Sequence, residues 1–251
     1  MLAQQNVLES KERNVRRIGC GSGIFTRGIL AHPEWSTSIA ELKCVDPNDG
    51  MRAVFARTIK DPRVSLSDGT FDNTGVPDDW ADLIVSASAF HWCSDLEGAI
   101  SEFSRILKSD GTICFLWNMQ DKRNYAWIRQ IHKLCDPYQN HIESGKATVD
   151  EWFNSWRRLF DLSQYKNNFE EPEEVTINSK EIRTLETFTL LLFTRSGVAV
   201  LPDSEKEKVR EGIKDIVQNS DDLVWVDKKG ELLEVPFATL IVVMQRRPQP
   251  S

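Results

Sequence analysis

No run of apolar residues in this chain approaches the length of a membrane span. Its first residues, Met1-Leu-Ala-Gln-Gln-Asn6, also lack the charged start and apolar core of a signal peptide. Neither a bilayer span nor export is expected. The five cysteines, at 20, 44, 93, 114 and 135, include no Cys-x-x-Cys pair, and three of them fall in expected strands or glycine turns where a small apolar residue fits. No metal site is expected, and a reducing, cytoplasmic setting is. Basic side chains are not in excess: 31 Lys and Arg stand against 38 Asp and Glu, a net charge of -7. Without a broad cationic field to meet a phosphate backbone, nucleic acid is excluded as the expected partner. Repeats, linkers and low-complexity tracts are absent, and only Pro248-Gln-Pro-Ser251 reads as a disordered tail.

What is present is apolar mass and pattern. With 251 residues, 40% of them hydrophobic and eight of them tryptophan, the chain can bury one large α/β domain or a domain with a cap. Its most informative stretch is Val15-Arg-Arg-Ile-Gly-Cys-Gly-Ser-Gly23, followed by Leu42-Lys-Cys-Val-Asp46. After a buried parallel strand the backbone must turn sharply into a helix. Gly19, Gly21 and Gly23 permit positive φ there and leave no side chain in the way of a ligand. Asp46 lies 23 residues beyond Gly23, the reach of a neighbouring strand tip, where a carboxylate can hold two ribose hydroxyls. A dinucleotide fingerprint is disfavoured, because the sixth position from Gly19 is Ile24 rather than a small residue, and no Tyr-x-x-x-Lys pair accompanies it.

The remaining pattern alternates strands and helices. Strands are expected at 14–18, 42–46, 64–66, 83–86 and 112–117, with helices at 23–30, 50–59 and 96–107; His32-Pro33 is read as a helix stop. Beyond Asn124 the character is helical, with a strand at 175–177, helices at 180–193 and 203–218, and a last strand at 237–244. The fold expected is a doubly wound, Rossmann-like α/β sheet, whose ligand lies beyond the carboxyl ends of the strands.

The spacing Gly-x-Gly-x-Gly resembles motif I of the class I S-adenosylmethionine-dependent methyltransferases. Val45-Asp-Pro-Asn-Asp-Gly-Met51 is similar to that family's ribose-binding strand end. Asp82-Leu-Ile-Val-Ser-Ala-Ser-Ala-Phe-His-Trp92 resembles the fourth strand and Phe-His-Trp signature of small-molecule members related to trans-aconitate methyltransferases. Arg105-Ile-Leu-Lys-Ser-Asp-Gly-Thr112, Leu233-Glu-Val-Pro-Phe-Ala-Thr239 and Gln245-Arg-Arg247 continue the likeness. The resemblance implies a seven-stranded sheet with an antiparallel last strand and a helical lid. Residues 1–123 form the cofactor-binding core, 124–234 the helical cap and sixth strand, 235–247 the final strand and 248–251 the tail. It further implies S-adenosyl-L-methionine as cofactor and methyl transfer to an oxygen of a small metabolite, a carboxylate being one candidate. The alternative is a methyltransferase fold that binds a small molecule or partner without transferring methyl. The oligomeric state is left open.

On this resemblance Gly19, Gly21 and Gly23 present backbone to the methionine part, Asp46 holds the ribose, and Met51, Asp68, Gly69 and Ser86 are cofactor neighbours. Phe90, His91, Trp92, Trp117 and Asn118 line the substrate pocket, with His91 as the candidate catalytic residue. Each has a plainer reading: Asp46 as a turn or helix-cap carboxylate, Asp68-Gly69 as a β-turn, Trp117 as core. His91 can accept a proton from a hydroxyl, donate to a carboxylate substrate, or serve only a backbone carbonyl. Trp152 with Trp156, and His132 with Asp136, have helical spacing that reads as core rather than as a platform or metal site. His32 and His141 have no evident partners. Two departures from the family stand out. Arg17 occupies the position of an acid that helps hold the cofactor's amino group, and only 18 residues precede Gly19, room for at most one short helix over Leu2 to Lys11.

Overall fold

The computed structural model describes residues 13–138 and 148–248. The expected helix over Leu2 to Lys11, His141 and the end of the tail lie outside the described residues. The strands are β1 (Arg13–Ile18), β2 (Ile39–Val45), β3 (Val64–Ser67), β4 (Ala81–Ala87), β5 (Leu107–Gln120), β6 (Glu173–Thr184), β7 (Trp225–Asp227) and β8 (Leu232–Gln245). The α-helices are α1 (Ile24–Ala31), α2 (Pro33–Ser38), α3 (Asp49–Thr58), α4 (Leu96–Ile106), α5 (Ala126–Cys135), α6 (Val149–Phe153), α7 (Ser163–Asn168), α8 (Leu185–Leu192), α9 (Ser196–Ala199) and α10 (Asp203–Asn219). They form one eight-stranded mixed sheet in the order β3-β2-β1-β4-β5-β8-β6, with β7 paired antiparallel to β8. The sheet has one strand more than the seven expected, because a three-residue strand such as β7 carries too little alternation to be read from sequence.

Two compact units divide the chain. One comprises the residues up to Trp117, Ser155–Val175 and those from Ile241; the other comprises Asn118–Asn154 and Thr176–Leu240. Residues 155–175, expected in the cap, thus pack within the first unit.

The first unit is built on parallel strands. Ile18 pairs with Val45, Val45 with Ser67, Arg17 with Val85, and Ala87 with Leu116. Strand order reverses between β1 and β4, so the loops after these two strands flank the crevice where a doubly wound sheet binds its ligand. Apolar residues on both faces hold the sheet: Val15, Ile18, Leu42, Cys44, Val45 and Ile84 are buried. α4 starts where the Asp95 carboxylate accepts the Gly98 amide, and it buries Ala99, Ile100, Phe103 and Ile106 along one stripe. Phe103 meets Phe90 at 5.8 Å and Phe115 at 6.2 Å between ring centroids.

The second unit has its own core. α5 turns Trp127, Ile128, Ile131 and Cys135 onto α8 (Leu185, Phe188, Leu192), α10 (Val209, Ile213, Val217) and the β8 residues Leu233, Val235 and Phe237. Among the described residues no helix is long and apolar enough to cross a membrane.

Two expectations are corrected here. Residues 180–184, read as the start of a helix, continue β6, and the helix begins only after Thr184, whose hydroxyl accepts the Thr187 amide. The β-branched residues Thr176, Ile177, Ile182 and Thr184 favour the strand, and the cap fixes where it ends. Pro33 does not merely stop α1. It opens α2 at the first helical position, where its missing N–H costs nothing, with His32 Nδ1 accepting from Glu34.

Replacing Phe103 with alanine removes the ring that joins α4 to β5 and should cost about 3–5 kcal/mol. Urea unfolding should show the loss as a lowered midpoint; an unchanged midpoint would mean that the α4 stripe is not a core face.

Candidate functional site

β1 ends at Ile18 and the chain turns through Gly19 (φ 64°), Gly21 (φ 55°) and Gly23 (φ 84°), all in the left-handed region that side chains rarely adopt. The glycines do different work. A Cβ on Gly19 would lie 2.5 Å from the Ala89 Cβ, so this glycine lets the loop pass close to the turn after β4. A Cβ on Gly21 would meet nothing within 4 Å: the space beside it is open, as a ligand cradle requires. Gly23 caps α1 without a side-chain acceptor, and the first turn of α1 holds no acid. The helix N-terminus is therefore left to attract negative charge from elsewhere.

Asp46 supplies the fixed acid. Its Oδ2 accepts the Gly21 amide at 2.7 Å and its Oδ1 the Asn48 amide at 3.0 Å, tying the glycine loop to the start of α3. The helix cap proper is Asn48, whose Oδ1 accepts the Met51 amide at 3.0 Å. Asp46 is thus a bridge between loops, and a carboxylate with two acceptor oxygens keeps capacity for further donors. Arg52 extends the link: its guanidinium donates to the Asp46 carbonyl at 2.6 Å and to Asp68 at 2.9 Å, and pairs with Asp49. Asp68 is held beside the loops on the surface, and Gly69 is required by packing, since a Cβ there would lie 2.9 Å from the Asn73 carbonyl. Met51 is half-exposed at the start of α3.

Arg17, at the position of the family's acid, is buried, 2% exposed. Its guanidinium turns onto carbonyl oxygens at the tips of β1 and β4: Ile18 at 2.6 Å, Val85 at 3.4 Å and Ala87 at 3.0 Å, with the Phe25 ring 5.2 Å away. Burial lowers its pKa to about 10, which leaves it charged at neutral pH. The neighbouring Arg16 is buried on the opposite face and donates to the Thr74 carbonyl at 2.6 Å.

After β4 the chain forms a 3-10 turn, Phe90–Trp92. Phe90 is a core residue, stacked on Phe115 with centroids 4.1 Å apart. Trp117 is also core, 1% exposed and stacked on Trp156 at 4.6 Å. It acts on the turn indirectly, its indole N–H donating to His91 Nδ1 at 3.1 Å. His91 and Trp92 are the members of the expected pocket that this turn carries to the surface, Trp92 half-exposed. Ser86 is fully buried, and its hydroxyl finds no partner among the described residues.

Asn118 belongs to the second unit, where its Oδ1 accepts the Thr239 hydroxyl at 3.0 Å. Trp156 is buried, as its spacing implied. Burial and the nearby Arg195 lower the pKa of His132 to about 3, while Asp136 pairs with Arg195 at 3.7 Å. Among the described residues no group of metal-ligating side chains gathers. A cavity of about 450 Å³ in the second unit has polar walls that already serve the fold: Asp121 holds Asn124, and Lys180 pairs with Glu234 at 2.6 Å.

These features define a cleft at the reversal of strand order, with a glycine loop, an anchored acid and unpaired buried polar atoms. A methyltransferase-domain family model matches residues 17–115, the segment that contains it. An uncharacterized methyltransferase-like protein of Schizosaccharomyces pombe is 28% identical over 216 residues, which are 83% of this chain and 77% of that one. A malonyl-acyl-carrier-protein O-methyltransferase of Acetivibrio thermocellus is 28% identical over 109 residues, 43% of this chain and 37% of that one. The solved structure of the YcgJ protein from Bacillus subtilis shares the fold, with a TM-score of 0.56, 18% identity and coverage of 98% and 97% of the two chains. Residues 17–115 thus match a methyltransferase domain, and the chain as a whole is similar to methyltransferases in sequence and fold. The residues present fit S-adenosylmethionine, the cofactor of such enzymes: the space beside Gly21 is open, Asp46 is an anchored acid at the neighbouring strand tip, and the buried Ser86 hydroxyl has no partner among the described residues.

The glycines should separate in mutagenesis. Gly19→Ala should destabilise the fold through its clash with Ala89, whereas Gly21→Ala should cost about 1 kcal/mol of stability yet weaken S-adenosylhomocysteine about tenfold or more. Thermal melts and isothermal titration would distinguish them, and equal effects of the two on both readouts would contradict the cradle. Asp46→Ala should lose cofactor binding and also about 1–3 kcal/mol of stability, because two backbone amides lose their acceptor. Unchanged affinity in titration would remove Asp46 from the site.

Proposed function

We propose that the enzyme methylates an oxygen of a small metabolite, with a carboxylate as the acceptor class. The observation that carries this reading is the hydrogen bond from the Trp117 indole to His91 Nδ1. Since Nδ1 accepts, the neutral ring bears its proton on Nε2, so that His91 carries a donor on the 3-10 turn after β4. A donor at the end of β4 suits an acceptor that arrives already ionised. A carboxylate is such an acceptor: it needs no base, only orientation and the exclusion of water.

When bound, S-adenosylmethionine supplies the electrophilic methyl group, the carbon–sulfur electron pair stays on sulfur, and the acceptor oxygen takes the new bond. His91 then acts by holding the second carboxylate oxygen, and Trp117 by fixing the ring. The half-exposed Trp92, 5.4 Å from His91 between ring centroids, offers an apolar wall on the same turn. The O-methyltransferase relative, whose name gives an oxygen acceptor, supports the choice of oxygen. The absence of a broad basic surface in the composition supports a small acceptor.

An acceptor screen with small carboxylic acids, phenols and amines, read by release of S-adenosylhomocysteine, should give turnover with carboxylic acids and a base-labile methyl ester as product. Turnover with amines alone would overturn the reading. With an active carboxylic acid, the rate should not climb with pH between about 6 and 8, as general-base catalysis by a histidine demands. His91→Gln, which keeps a donor, should retain more activity than His91→Ala, mainly through KM. A rising pH limb abolished by both substitutions would instead make His91 the base.

A further inference from the structure

Arg17 is the feature that the general reading leaves unexplained. A guanidinium at 2% exposure is costly to desolvate and is kept in a fold only when well paired, yet among the described residues no carboxylate forms an ion pair with it, Asp46 acting only at longer range. Its partners are the Ile18, Val85 and Ala87 carbonyls, whose oxygens converge at the adjoining tips of β1 and β4. Carbonyls converging at strand ends attract a cation, and here the protein's own cation fills the place. The guanidinium is also incompletely satisfied. Its Nε is buried with no hydrogen-bond partner among the described residues, and so is the hydroxyl of Ser86, one residue beyond Val85, the register partner of Arg17. Buried donors without acceptors are rare in folded chains. The Nε of Arg16 shares this condition on the other face of β1, but the Arg17 Nε and the Ser86 hydroxyl lie together at the adjoining tips of β1 and β4, beside the turn into the glycine loop, where a ligand would bring acceptors.

The methionine tail of the cofactor bears one ammonium and one carboxylate. A fixed guanidinium repels the first and attracts the second, and the planar fork of an arginine suits a carboxylate. We propose that Arg17 recognises the carboxylate of the cofactor's methionine tail, so that this site reads the tail by its negative end and not by its ammonium. The inference rests on the assignment of the glycine loop as the cofactor site.

Isothermal titration tests it with four ligands: S-adenosylhomocysteine, its decarboxylated analogue, its deaminated analogue, and 5′-methylthioadenosine, which lacks the amino-acid end. The wild-type protein should lose about tenfold or more in affinity when the carboxylate is removed, and less than about threefold when the amino group is removed. In Arg17→Met the carboxylate preference should collapse to less than about threefold, with 5′-methylthioadenosine bound as in wild type, and Arg17→Lys should restore part of the preference. A wild-type protein that loses as much on deamination as on decarboxylation would overturn the proposal, and this comparison needs no variant to fold. So would a folded Arg17→Met that keeps the full preference. If the folded wild type binds none of the four ligands, the glycine-loop assignment itself fails, and the role of Arg17 with it.

Discussion

The carboxylate of Asp46 is the constraint on which the site depends. One oxygen holds the amide of Gly21 and the other that of Asn48, so a single side chain at the tip of β2 sets the positions of the loop after β1 and of the start of α3. Backbone adds a second tie for the glycine loop, the Cys20 amide donating to the Val45 carbonyl at 3.0 Å. The glycines give the first loop freedom that the carboxylate removes again, and Asn48 caps α3 only because the Asp46 turn places it there. An acid that builds the loop and, as we propose, also faces the cofactor would join local stability to binding.

Around that anchor the interior of the first unit is unusually cationic for a buried sheet. Arg16 and Arg17 leave opposite faces of β1, each 1–2% exposed, and each is paid for in a different way. On one face Arg16 holds the Thr74 carbonyl, while Glu102 takes the Thr74 amide at 2.9 Å and pairs with Arg105 at 2.8 Å, so that the charges balance through the 74–76 segment. On the other face Arg17 donates to carbonyl oxygens, lies against the Phe25 ring and feels the charge of Asp46 at longer range. Each guanidinium keeps a buried Nε with no partner among the described residues, but only Arg16 has an ion-paired carboxylate on the segment that it holds.

The parallel strands, the amphipathic α4 and the glycine-to-Asp46 relation were legible in the sequence because each is a local or fixed-spacing signal. Positive φ demands glycine, a buried stripe demands its period, and the tip of the next strand lies at a set distance along the chain. The role of Arg17 was not legible, since its partners Val85 and Ala87 lie on β4 and become neighbours only when the strands pair. The same holds for the bond between Trp117 and His91, 26 residues apart, which turns an ambiguous histidine into a donor. Phe90 and Trp117 were read as pocket walls because aromatic residues at strand ends serve both cores and pockets, and sequence carries no burial. β6 was read partly as helix because its alternation is mixed and its Lys180-Glu-Ile-Arg-Thr184 segment is polar enough to suit either state.

Hydrogen–deuterium exchange of the protein with and without S-adenosylhomocysteine tests the central claim most directly, because it maps the cofactor onto the chain without an acceptor or a variant. The account predicts added protection in the segments 18–24, 45–51 and 86–92, the three loops that meet at the reversal of strand order. Protection confined to the second unit, or none at saturating ligand, would contradict it.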